Sequence, residues 1–86
     1  MKLSKDFVVH TMDNVTYMTA VSSSLFTGMV RGNETFGEII ALLKTETTED
    51  EIVEKMIEIY GSHEEKIRED VHETLIKLRE IGALEE

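Results

Sequence analysis

NETFGEIIALLK (33–44), TTEDEIVEKMIEIYG (47–61) and SHEEKIREDVHETLIKLREIGAL (62–84) follow one another with little between them. Each repeats its apolar residues at helical spacing, so each predicts a helix with one face turned inward. Those faces are Phe36, Ile39, Ile40 and Leu43 in the first, Ile52, Val53, Met56, Ile57 and Tyr60 in the second, and Ile67, Val71, Leu75 and Leu78 in the third. The punctuation agrees. Asn33 is a good N-cap, and Glu34 meets the positive end of the helix dipole. Thr48 with Glu51, and Ser62 with Glu65, have capping-box spacing, in which hydroxyl and carboxylate each satisfy the other residue's free amide. Gly61 and Gly82 can take the positive φ that closes a helix at C′.

Ahead of this trio the period changes from 3.6 to 2. FVVHTM (7–12) is β-branched and aromatic and predicts a strand. VTYMTAV (15–21) alternates, with Val15, Tyr17, Thr19 and Val21 on one face and Thr16, Met18 and Ala20 on the other. Asp13-Asn14 between them tolerates positive φ, so the pair predicts a β-hairpin. Ser22-Ser23-Ser24 breaks the pattern. LFTGMVR (25–31) is a weaker third strand, where Gly28 and the adjoining Gly32 suggest a bulge or the close approach of another backbone.

With 86 residues the chain is read as one domain, 1–86. A domain of this size hides only about 60–65% of its unfolded surface and has little room for a deep, dry active site. There is no cysteine, which excludes disulfides, thiolate nucleophiles and iron–sulfur ligation. No apolar run approaches the ~18 residues of a membrane span, and the opening MKLSKDFVVH lacks the pattern of a signal peptide, so a cytoplasmic protein is expected. The net charge of -9 is uneven. Residues 33–86 carry six basic and 16 acidic side chains, whereas residues 1–32 are close to neutral. Nucleic-acid binding needs cations to displace phosphate counterions, so no nucleic-acid partner is expected. A basic peptide or protein suits such a surface better.

No catalytic set emerges. His10, His63 and His72 include no pair at the i, i+4 spacing of a helical metal site, and no metal or other cofactor is expected. The serines at 22–24 belong to no nucleophile elbow, and Gly28 with Gly32 forms no phosphate loop. Two features remain. The third strand, last of its set, offers an open edge for an added strand, guarded only by Arg31 in a chain without proline. The third helix carries a border of Asp70, Thr74 and Lys77 on one side of its apolar stripe, with Glu73 further out. Arg68, His72 and Arg79 lie on the other side, and Ile76 points away from the core.

In this order and spacing, KLSKDFVV (2–9), NETFGEIIALLK, TTEDEIVEKMIEIYG and EEKIREDVHETLIKLREIGALE (64–85) resemble the PqqD family, small proteins of pyrroloquinoline quinone biosynthesis and related peptide-modifying pathways. The resemblance covers nearly the whole chain. It implies an α+β, winged-helix-like fold, with a three-stranded antiparallel sheet followed by three helices. It implies a peptide chaperone, a recognition element that binds the leader of a ribosomally made precursor and presents it to a radical S-adenosylmethionine enzyme. The leader would add as a strand beside the third strand, at Gly28, Met29, Val30 and Arg31, in the groove shared with the third helix. The helix flank chosen for that groove is Asp70, Glu73, Thr74 and Lys77, with apolar pockets between Met29 or Val30 and the helix stripe. The family usually has leucine before the asparagine that starts the first helix, and here that residue is Gly32. The alternatives are a winged-helix DNA-binding or regulatory domain, against which the acidic third helix argues, and a structural homodimer built on Ile76 or a swapped strand.

Overall fold

A computed structural model describes residues 1–21, 28–61 and 63–86. The elements are β1 (Lys2–Leu3), β2 (Phe7–Met12), β3 (Val15–Ala20), β4 (Met29–Gly32), α1 (Glu34–Leu42), α2 (Glu49–Tyr60), α3 (Glu64–Glu80) and β5 (Leu84–Glu85). The α+β class and the three-stranded antiparallel sheet followed by three helices are as expected from the sequence. The order in that sheet is β2-β3-β4, so β3 is central and β4 is an edge. Asp13 and Asn14 both have positive φ (52° and 64°), the backbone of a two-residue hairpin whose twist matches its strands.

Register decides which hairpin face is buried. Phe7 pairs with Ala20, Val9 with Met18 and Thr11 with Thr16. Phe7, Met18 and Thr16 are buried under the helices. Val8 and Met12 are exposed on the opposite face. Thr16 escapes the cost of an unsatisfied buried hydroxyl through Thr11, 3.3 Å away. Gly37 of α1 lies directly against it, and a Cβ at Gly37 would overlap the Thr16 hydroxyl. The first helix can therefore sit close on the sheet only because residue 37 has no side chain.

The helix faces fall as predicted at their centres. Ile39, Ile40, Leu43, Ile52, Val53, Met56, Ile67, Val71, Leu75 and Leu78 form one core with Phe7, Met18 and Ala83. Tyr60 is the exception: it ends α2 at the surface, 43% exposed. Asn33 caps α1 by accepting the Phe36 N–H at 3.1 Å, and Thr48 caps α2 by accepting the Glu51 N–H at 3.2 Å. The Glu51 carboxylate accepts a hydrogen bond from the Thr47 hydroxyl, 3.3 Å away. The predicted Ser62 cap lies outside the described residues. α3 begins at Glu64 with His63 as its N-cap residue, left-handed at φ 77° and with no side-chain cap bond. At the other end Ala83 N–H bonds Leu78 C=O at 2.8 Å and Gly82 N–H bonds Arg79 C=O at 3.1 Å, a Schellman motif around Gly82 (φ 74°).

Two elements have no counterpart in the sequence reading. β1 pairs antiparallel with β5, Lys2 with Glu85 and Leu3 with Leu84. Main-chain bonds from Leu3 N–H to Leu43 C=O (2.8 Å) and from Ser4 N–H to Ala83 C=O (2.7 Å) tie this ribbon to the ends of α1 and α3. Among the described residues no helix is long and apolar enough to cross a membrane.

Candidate functional site

Of the strand expected at Leu25–Arg31, Leu25, Phe26 and Thr27 lie outside the described residues, and among the described ones the strand runs from Met29 to Gly32. Met29 pairs with Thr19, Val30 with Met18, Arg31 with Tyr17 and Gly32 with Thr16. Ala20 donates to the Gly28 carbonyl at 3.3 Å, one step further along the same register. In an antiparallel ladder, hydrogen-bonded and non-hydrogen-bonded pairs alternate. Gly28, Val30 and Gly32 therefore turn their amides and carbonyls to β3, and Met29 and Arg31 turn theirs outward. Only these two residues of the strand can receive another chain.

Side chains alternate in the same register. Val30, beside buried Met18, is on the helix side. Met29 and Arg31 start from the opposite face, and Met29 is 59% exposed. Of the two residues expected to form an apolar pocket with α3, Val30 does so and Met29 does not. The close approach at Gly32 is made by a side chain: a Cβ there would overlap the Phe36 ring. Phe36, in the first turn of α1, takes the space that a larger residue 32 would fill.

β4, the start of α1 and α3 together enclose a groove of about 500 Å³. Its apolar walls are Val30, Phe36, Leu78 and Ile81, and Arg31, Thr74, Lys77 and Glu80 form its rim. A second hollow of about 230 Å³ continues from it. That hollow holds Asp70, Glu73, Thr74 and Lys77 against Asn33, Thr35 and Phe36. The structure thus gathers the whole predicted flank of α3, and puts Thr74 and Lys77 in both hollows opposite Val30 and Arg31. Gly28 and Met29 line neither. Sequence reasoning missed Phe36, Leu78 and Ile81, whose apolar spacing marked them only as core or not at all.

Charge is mixed along this trough. Lys66 donates to Asp70 at 3.1 Å, and that hydrogen bond holds the Lys66 ammonium above its ordinary pKa. Among the described residues Arg31 and Lys77 have no ion-pair partner. The other flank of α3 is closed in the sense that its cations are paired, across a shallow hollow lined by Glu49, Glu65, Arg68, Glu69 and His72. Arg68 contacts Asp50 at 3.1 Å and Glu64 at 3.5 Å, His72 Nδ1 lies 3.1 Å from Glu49, and Arg79 meets Glu86 at 3.0 Å. Among the described residues no group of three or more histidine, aspartate or glutamate side chains is placed to hold a metal ion.

The fold is shared with TbiB1, whose structure was solved in complex with the TbiA(beta) leader peptide. The TM-score is 0.83 at 20% sequence identity, over 99% of this chain and 95% of that one. No curated protein matches. Residues 17–84, from within β3 to the start of β5, match the family described as Coenzyme PQQ synthesis protein D. That match spans the open strand edge and the helix flank that faces it, and with it the chain belongs to the PqqD family.

Proposed function

We propose that this protein is a peptide chaperone that binds the leader of a ribosomally made precursor by strand addition to β4. The observation that carries this reading is the groove between the strand edge at residues 30–32, where Arg31 turns its main chain outward, and the Thr74–Lys77 flank of α3. Likeness of fold to a protein solved with a leader peptide supports it. The edge supplies hydrogen bonds with little demand on sequence. The chemistry then belongs to a partner, which in this family's pathways would be a radical S-adenosylmethionine enzyme.

Magnitudes show what the groove must contribute. Met29 and Arg31 offer one amide and one carbonyl each. At about 0.5–1.5 kcal/mol net per bond, the edge yields roughly 2–6 kcal/mol. Association costs on the order of 4–15 kcal/mol in lost freedom. Main-chain pairing alone leaves little or no net affinity. A large apolar side chain buried between Val30, Phe36, Leu78 and Ile81 adds about 1.5–3 kcal/mol, which brings the gain into the lower part of that cost.

Amide-resonance titration with leader peptides encoded near this protein's own gene tests the reading. Shifts are expected at Met29–Gly32 and along Thr74–Ile81. Shifts confined to the Arg68–His72 flank, or none with any such leader, would sink it.

A further inference from the structure

The trough does not end beside β4. Thr35 and Asp70, which line its polar middle, also line a third hollow of about 310 Å³ where α1, α2 and α3 meet. Its walls are Met56, Tyr60, Ile67 and Val71, with His63 and Lys66 at the mouth. Three of those walls belong to the core, but Tyr60 is 43% exposed although it lies on the apolar stripe of α2. The three hollows thus share lining residues in sequence along one flank of α3: apolar beside Ile81 and Leu78, polar beside Thr74 and Asp70, apolar again beside Ile67.

The geometry points to a second anchor site at the Tyr60 hollow, filled by a large apolar side chain of the same extended peptide that pairs with β4. This rests on the peptide-binding reading and specifies its ligand. The added strand, continued past Gly32, crosses Asn33 and Thr35 and meets the third hollow with no break in the trough. From Leu78 to Ile67 is eleven residues of α3, about 16 Å at 1.5 Å per residue. An extended chain covers that distance in about five residues. Successive side chains alternate in direction, so two anchors on the trough side are separated by four or six residues, with small polar residues between them. The short edge needs such help, because two outward residues make too few bonds to hold a peptide.

The test uses N-acetyl-leucinamide and capped threonine–serine peptides carrying one leucine, or two leucines at i and i+2, i+4 or i+6. N-acetyl-leucinamide is expected to shift the amides of two separate groups, Val30 with Leu78 and Tyr60 with Ile67. The i+4 or i+6 peptide is expected to bind at least about tenfold more tightly than the single-leucine and i+2 peptides, as linked anchors should. Tyr60→Asp, at an exposed position, should erase that gain and leave single-leucine binding beside β4 unchanged. No shift at Tyr60 and Ile67, or two-leucine peptides no tighter than single ones, would overturn the second anchor and leave strand addition standing. Absence of shifts at Met29–Gly32 with every probe would overturn the strand-addition reading itself, and the second anchor with it.

Discussion

The two flanks of α3 border the same apolar stripe, yet one is closed and the other open. Arg68, His72 and Arg79 face carboxylates from α2, from α3 itself and from the last residue. Asp70, Thr74 and Lys77 face the first turn of α1 and a strand edge whose outward amides have no partner among the described residues. What stands opposite makes the difference. A second helix brings side chains that can complete each charge. A sheet edge brings main-chain groups that only another extended chain completes. The sequence counted the acids of the helical half as a lure for a basic partner. Several of those acids, Glu49, Asp50, Glu64 and Glu86, are occupied on the closed flank, and the groove itself carries Arg31, Lys77 and Glu80. Net charge therefore describes the molecule and not its open flank.

The most damaging way to break the contrast is to remove the floor both flanks share. Leu78 is 1% exposed and also walls the groove. Leu78→Ala should cost about 2–5 kcal/mol in denaturant unfolding, the usual range for a buried leucine. A cost below about 1 kcal/mol would mean that the groove wall is not part of the core.

Next in size is the joint between β4 and α1. Gly32→Leu drives a side chain into the Phe36 ring and should cost about 1–3 kcal/mol, as overpacking does. Phe36→Ala in the same molecule should return part of that loss. A double-mutant cycle measures the coupling. Strict additivity would show that Phe36 does not stand in for the side chain missing at residue 32.

These two positions also show what could be read in advance. Leu78 declared itself, because its stripe keeps helical period from Ile67 on, over about three turns. The hairpin did so too, since Asp13-Asn14 sits between two strands of clear composition. Gly32 did not, because its meaning depends on a ring four residues on that reaches back over it. β1 and β5 were invisible for a related reason. Two-residue strands have no period, and Lys2 and Glu85, which pair in the fold, stand 83 positions apart in the sequence. Within the site the helix flank was legible from spacing around the α3 axis. The division of β4 into inward Val30 and outward Met29 was not, since it needs the register against β3.

Smaller and more telling is a pair of single substitutions, one per flank. Lys77→Ala should leave stability within about 0.5 kcal/mol, as exposed changes away from special features do. It should nonetheless alter peptide affinity in the amide titration. Arg68→Ala should do the reverse, with a small fall in melting temperature from losing Asp50 and Glu64 and no change in peptide affinity. If both variants bind equally, the open flank has no privileged role.

The smallest effect is on the closed flank and depends on pH. The hydrogen bond from Arg79 holds the Glu86 carboxyl below its ordinary pKa. A carboxyl depressed in the folded state stabilises above its unfolded pKa, and that contribution disappears as pH falls through the folded value. Glu86→Gln should therefore melt slightly lower than the unsubstituted protein near neutral pH. The gap should close in acid, once Glu86 is protonated in both states. Both groups are solvent-exposed, so about 1 M salt, with a Debye length near 3 Å, should close it as well. A difference that survives both acid and salt would mean that Glu86 acts through packing rather than charge. The closed flank would then be held shut by contact, and its contrast with the open one would no longer be electrostatic.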